Sequence, residues 1–453
     1  MRPCHAVLAL TLAAPVVIAP LAGQAPSASH PLGTLREQAT LQQAWLKERL
    51  ETVLPTVMRR YAVDMWVVAM REYNEDPVFR ALVSPTTFAA RRRTIYVFFD
   101  RGPDRGIERI ALGGSSQGGL YDAVRETELA PDGRPRELWG PAQWQLFARV
   151  VRERNPRRLA VDISRDFSFA DGLSAGEWEQ MQAALGPDLV ARVVREDRLA
   201  IDYLSLRVAG MLPTYRRMQE IAHELIATAF SSAVITPGVT TTDDVVWWMR
   251  QRLLELGLGT WFQPEVDVQR RVVDMGDSVA PVIQRGDLLH CDFGITALGL
   301  NTDTQHMGYV LRDGEVEPPA GLRQALVNSN RLQDLVLAAA RPGLTGNQVL
   351  TDVLARMRDA GIDGTVYSHP VGDHGHAAGP LIGLWDRQDG VPARGDIPLL
   401  PGTWFAIELQ ATTPVPEWDG QKVRSMQEED AELPPAGPMR WVLARQTTFH
   451  LVR

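Results

Sequence analysis

Two strand-like apolar runs in this chain each carry a carboxylate, and no other feature restricts the fold as strongly. Asp287-Leu-Leu-His-Cys-Asp-Phe-Gly-Ile295 places Asp292 in one such run, and Trp404-Phe-Ala-Ile-Glu-Leu409 places Glu408 in the other. A carboxylate taken into a core is costly unless a cation or a hydrogen-bond network compensates it. Further residues offer the same chemistry. Asp303 follows Asp292 by 11 residues, at the end of a second short apolar run, so a turn between them can bring both to one mouth of a sheet. Glu428 opens the acidic run Glu-Glu-Asp430. Ser368 to Gly379 packs His369, His374 and His376 among glycines, which makes it a loop whose backbone must pass close to something.

Composition narrows what could compensate these acids. The chain has 453 residues, enough for two domains, and only 2 cysteines, which excludes a disulfide framework or a thiolate metal site. Any metal must therefore sit on carboxylates and imidazoles, a hard donor set suited to a pair of Mn, Co, Fe or Zn ions. Two such ions about 3.5–4 Å apart would polarise a carbonyl and activate a water. The net charge of -8 argues against a nucleic-acid surface or an anionic-lipid anchor. Residues 1–23 have the layout of a secretory signal peptide, with cleavage after Ala22, Gly23 or Ala25, and 24–34 form a Ser/Pro/Ala-rich linker. Export to the periplasm or beyond is expected, with no membrane segment in the mature chain. Only Cys291 then remains.

The rest divides in two. Residues 35–60 look helical, and the runs Met65–Ala69, Thr94–Phe99 and Leu159–Ile163 look like strands, so 35–208 is expected to form an α/β unit without clustered His, Cys or paired carboxylates. Beyond it, Thr241-Thr-Asp-Asp244 and Thr345-Gly-Asn-Gln348 start helices that should close near Gly257 and Gly361, and Asp419-Gly420 should turn a hairpin. No internal repeat is visible. Trp247, Trp248 and Trp404 are expected in the core and Trp418 at an exposed turn. Arg91 to Arg93 should be a solvated corner, Glu429 and Asp430 solvated acids, and His290 and His306 structural. Cys291 should point away from Asp292.

The order Asp292, Asp303, His369, Glu408, Glu428 resembles the M24 metallopeptidase family, which includes prolidases, aminopeptidase P and creatinase. The resemblance implies an α+β chain: a pita-bread catalytic domain over 209–453, preceded by a smaller α/β creatinase-N-like domain over 35–208. It implies that Asp292 and Glu428 bridge two divalent ions, that Asp303 chelates one, and that His369 with Glu408 completes the other. Glu408 would also be the general base. His376 would face substrate, His374 adds a further imidazole beside it, and Arg424 would support a ligating carboxylate from the second layer. The segment from His376 to Gly379 remains an alternative source of the ligand imidazole. The family's usual histidine upstream of the first Asp is missing from Val273–Asp277. The implied activity is hydrolysis of a peptide amide near the N-terminus, as in Xaa-Pro aminopeptidases and dipeptidases. Creatinase-like cleavage of a small amide or ester, or metal-stabilised binding without turnover, are the alternatives. A homodimer rests on the resemblance alone.

Overall fold

A buried apolar strand, Met65–Arg71, organises the first unit of the computed structural model, which describes residues 30–271 and 281–453. The signal-peptide-like segment, the linker up to residue 29 and the window Val273–Asp277 lie outside the described residues. Met65–Arg71 sits inside a six-stranded mixed sheet, between Arg93–Asp100 and Leu159–Val161. Its side chains alternate between two cores. Trp66, Val68 and Met70 pack on the side of Trp45 and Tyr203, while Met65, Val67 and Ala69 pack on the side of Trp144 and Phe147. This unit does hold a buried carboxyl pair, contrary to expectation. Burial raises both Asp76, to about 7, and its neighbour Asp162, and each keeps one carboxyl oxygen without a hydrogen-bond partner.

The expected helix over 35–60 is interrupted. Leu35–Glu48 opens with a capping box of Thr34 and Glu37, widens into a π-turn over Arg49–Val53, and resumes as Leu54–Arg60. Pro55 cannot donate to the carbonyl one turn back, and Leu54 N–H reaches Arg49 O instead. Arg49, at the start of that wide turn, is buried and points at the second unit.

The second unit repeats one plan twice, although the sequence shows no repeat. Helices Leu212–Ala229 and Thr242–Glu255 precede the strands Glu265–Gln269, Leu288–Phe293 and Thr304–Val310. Helices Ala320–Ala339 and Gly346–Asp359 precede Asp363–Val366, Thr403–Ala406, Leu409–Val415, Gln421–Gln427 and Asp430–Leu433. In each pair the second helix opens with a complete capping box, Thr241 with Asp244 and Thr345 with Gln348. Gly257 and Gly361 follow these helices at φ +68° and +67°, as their placement predicts. Gln421–Gln427 returns along Leu409–Val415 after Asp419 and Gly420, both at positive φ.

The two halves meet at Gln305 and Glu428, whose N–H and C=O groups exchange two 3.1 Å hydrogen bonds. That bridge places strand Thr304–Val310 of one sheet against the break where the chain leaves one of the other two sheets for the next.

Several surface expectations change. Trp404 is core, but Trp247 is 55% exposed and Trp418 is only 3% exposed, packed with Val415 and Val423. Hydrophobicity alone does not say which helix face is covered. Arg91 and Arg92 lie at the surface beside Glu137, whereas Arg93 is buried in a 2.6 Å ion pair with Glu177.

Candidate metal centre

Strand breaks build the centre. A continuous strand turns alternate side chains to opposite faces, which spreads carboxylates apart rather than gathering them. Asp303 lies between Leu300–Asn301 and Thr304–Val310, Glu408 between Thr403–Ala406 and Leu409–Val415, and Glu428 between Gln421–Gln427 and Asp430–Leu433. At Glu408 the chain passes from the four-stranded sheet with His369–Pro370 to the three-stranded sheet with Asp363–Val366, and at Glu428 it passes back. His369 pairs with Ala406, and Asp292 stands opposite Gln305.

These five residues converge. His369 Nε2 is 3.5 Å from Asp303 Oδ2, 3.4 Å from Glu428 Oε1 and 3.8 Å from Glu408 Oε2. Two groups have ligand atoms within 4.8 Å of one another: Asp303, His369 and Glu428, and Asp292, Glu408 and Glu428. Glu428 alone belongs to both. His369 groups with Asp303 rather than with Glu408, and Asp292 joins one group rather than both, a different division from the one the resemblance implies. His369 Nδ1 donates to Pro370 O at 3.0 Å, which leaves Nε2 as the free lone pair aimed at the carboxylates.

The electrostatics favour a cation here. Burial pushes Asp292 up to about 7 and Glu408 up to about 8, each worsened by neighbouring carboxylates, and Asp303 and Glu428 rise well above the carboxylate range for the same reasons. Burial lowers His369 to about 3, so the imidazole is neutral. Asp292 Oδ1, Asp303 Oδ1, Glu428 Oε1 and His369 Nε2 are buried and lack hydrogen-bond partners. Buried acceptors gathered without donors fit divalent ions, so the residues present match the expected cofactor.

Gln305 supports the group. Its Nε2 donates to Glu408 Oε1 at 2.5 Å and Glu428 Oε2 at 3.0 Å, and its Oε1 lies 2.9 Å from His290 Nε2. His290 therefore sits one layer out, as expected. Gln305 stands two residues after Asp303, a spacing that puts both on one face of an extended chain. Arg424 was expected behind a ligating carboxylate, but its side chain is exposed and only its backbone bonds, to Gln269. Among the described residues it makes no hydrogen bond or ion pair with the five. Cys291 is buried beside Met249, and burial raises its thiol, which removes it as a nucleophile.

The histidine loop does pass close to other groups. A Cβ added at Gly372 would stand 2.1 Å from the Arg207 guanidinium, and one at Gly375 would stand 2.2 Å from the Trp261 ring. Asp373 anchors the loop across the two units, bonded by Arg49 at 2.7 and 3.3 Å and by Arg207 at 3.2 Å. His376 is exposed, edge-on to His369 at 4.7 Å and to Trp261 at 5.1 Å, and belongs to neither ligand group. His374 instead packs 4.8 Å from Phe169 and, with Asp373 and Asn301, lines a cavity of about 700 Å³ between the units. Arg394 is half-buried, donates to Ala377 O at 2.6 Å and Gly379 O at 3.2 Å, and forms no ion pair among the described residues.

Glu429 and Asp430 are not solvated: they are 1% and 0% exposed. Asp430 accepts from Tyr215 at 2.7 Å and from Asp303 N–H at 3.3 Å. Glu429 turns away from the centre toward His223 and His306.

An oxygen- and imidazole-lined centre on this fold is that of a metallopeptidase hydrolase. Residues 214–431 match metallopeptidase family M24, and the chain carries an M24 metallopeptidase domain there. The structure is similar to X-Pro aminopeptidase from Thermotoga maritima MSB8, with TM-score 0.60 and 16% identity over 88% of this chain and 100% of that one. It is also similar to Xaa-Pro dipeptidase from Bacillus anthracis, with TM-score 0.56 and 17% identity over 91% and 100%. A dipeptidase from Mycobacterium ulcerans follows at TM-score 0.57 and 16% identity over 90% and 98%. These likenesses establish the pita-bread-like fold with its preceding unit. No curated protein sequence matches.

Proposed function

We propose that this chain is an exported peptidase that uses two divalent ions to hydrolyse an amide near a peptide N-terminus, with Xaa-Pro peptides as the substrate class. The observation that carries the reading is the pair of ligand groups sharing Glu428, with four buried donor atoms left without partners. Asp303, His369 and Glu428 would hold one ion, and Asp292, Glu408 and Glu428 the other. When bound, the ions polarise the scissile carbonyl and lower the pKa of the attacking water.

The chain's own residues do the rest. Glu408, whose proton a bound ion would displace, is placed to take a proton from the attacking water and pass it to the leaving nitrogen. Gln305 keeps its carboxylate aimed by donating to Oε1. His376, exposed beside His369, can donate to the developing oxyanion. Arg394 offers a cation with no carboxylate partner among the described residues, which favours a substrate whose free C-terminus lies near the cleaved bond. The printed activities of the similar structures support the same substrate class. The N-terminal layout supports export.

The test is to incubate the full chain, with and without Mn²⁺, with Xaa-Pro dipeptides, Xaa-Pro tripeptides and matched peptides lacking proline. Metal-dependent cleavage of the Xaa-Pro set is expected, and Glu428→Gln should lose both bound metal and turnover. Undiminished metal content in that variant refutes the assignment.

A further inference from the structure

The strand bridge that builds the centre builds a second cluster behind it. Side chains alternate along extended chain, so Gln305 and Glu428 turn toward the centre while their neighbours His306 and Glu429 turn away. There they meet His223, from helix Leu212–Ala229, and His450, from the strand His450–Val452. His306 Nε2 is 2.8 Å from Glu429 Oε1, and His223 Nε2 is 2.9 Å from Glu429 Oε2. His306 Nδ1 is 3.0 Å from His450 Nε2, and Gln446 N–H donates to Glu429 Oε1 at 2.9 Å. Two of the 9 histidines thus come from separate elements to one buried carboxylate, a third, His450, backs His306, and the candidate centre uses none of the three.

We propose that His223, His306 and Glu429 form a separate binding site for a zinc-class divalent ion, with the two Nε2 atoms and a Glu429 oxygen as ligands. The three ligand atoms lie within 4.8 Å of one another. Two imidazoles and one carboxylate are a donor set for Zn²⁺, Co²⁺ or Ni²⁺, with a fourth position left for water. The outer layer is in place: His306 Nδ1–H can donate to His450, which presents the Nε2 lone pair to the ion, and Gln446 N–H orients the carboxylate. Access is in place as well, because 19% of the His223 side chain is exposed while His306 and Glu429 are buried. An ion here ties the first helix of the domain and the C-terminal strand to the Gln305–Glu428 bridge. It would brace the centre from behind without touching substrate.

The experiment counts ions. Full-length protein is stripped with a chelator, reloaded with Zn²⁺, freed of excess metal and measured by mass spectrometry of the element. Wild type is compared with His223→Gln and with Asp303→Asn/Glu428→Gln, which disables both groups of the candidate centre. Glutamine retains a hydrogen bond to Glu429 but is a poor zinc ligand. His223→Gln should hold one ion fewer than wild type, and the Asp303/Glu428 variant should retain one ion per chain. Equal counts in wild type and His223→Gln overturn the proposal and leave a hydrogen-bonded His–Glu–His network. If His223→Gln does not fold, the Asp303/Glu428 variant decides: one retained ion supports the site, and none refutes it. Failure of the catalytic reading changes only the ions lost in the Asp303/Glu428 variant, so the two readings fail separately.

Discussion

Stripping the divalent ions from the candidate centre should make the fold progressively less stable as pH rises. Glu408, ordinarily near 4.5, is pushed up to about 8, and Asp292, ordinarily near 3.8, to about 7, first by burial and then by neighbouring charges. Each pKa unit corresponds to about 1.4 kcal/mol, so the Glu408 shift alone represents about 5 kcal/mol of extra proton affinity in the folded state. Asp292 contributes to the Glu408 shift, so the two effects overlap, and the total is on the order of 5 kcal/mol rather than their sum. The sign follows from proton counting. Between the unfolded values near 4 and the folded values near 7 to 8, the folded chain holds more protons, so stability falls as pH rises through that window. Bound ions replace those protons and should remove the slope. Thermal and urea unfolding, followed by circular dichroism from pH 5 to 8.5 on chelated and Mn²⁺-loaded protein, measures both lines. The chelated midpoint should drop across the window while the loaded one stays level. Asp292→Asn should flatten the chelated slope and weaken ion binding together. A chelated protein whose midpoint is flat or rises between pH 5 and 8 refutes the reasoning, because the carboxylates would then not be crowded in solution.

Two other perturbations probe the surroundings of the centre. Asp373→Asn leaves the buried guanidinia of Arg49 and Arg207 without their counter-charge and should cost about 3–5 kcal/mol in urea unfolding at neutral pH. Although burial opposes it, the two arginines hold Asp373 below the ordinary carboxylate value, so its contribution is complete above about 4 and is lost as pH falls through the depressed value. Arg394→Met should raise KM for an Xaa-Pro dipeptide about tenfold or more with little change in kcat, and should spare the C-terminal amide of the same peptide, as initial rates will show. Equal losses on both substrates would place the guanidinium away from the substrate carboxylate.

The candidate ligands were legible because each breaks a local rule. Asp292 and Glu408 stand in runs that otherwise read as buried strand, and the glycines around His369 read as loop where a histidine cluster has no reason to gather. Capping boxes at Thr241 and Thr345 were equally legible, since a cap is satisfied within four residues. Glu429 and Asp430 were not. Three adjacent acids look solvated unless the partners of each are known, and those partners, His223, His306 and Tyr215, come from 123 to 215 residues away. Trp247 and Trp418 exchanged their expected environments for the same reason: burial of a tryptophan depends on which neighbour covers it.

By itself the sequence determined the donor chemistry: four carboxylates and an imidazole on apolar or glycine-rich segments, with too few cysteines for a thiolate alternative. It also determined where the helices after Thr241 and Thr345 start and stop, because those interactions are local. Only the tertiary structure decided how the donors group, with Glu428 common to both sets, because that follows from where strands leave one sheet for another. Only the tertiary structure placed Gln305 rather than Arg424 behind the carboxylates, and tied the first unit to the histidine loop through Arg49 and Asp373. Such contacts join residues hundreds of positions apart, and no local periodicity records them.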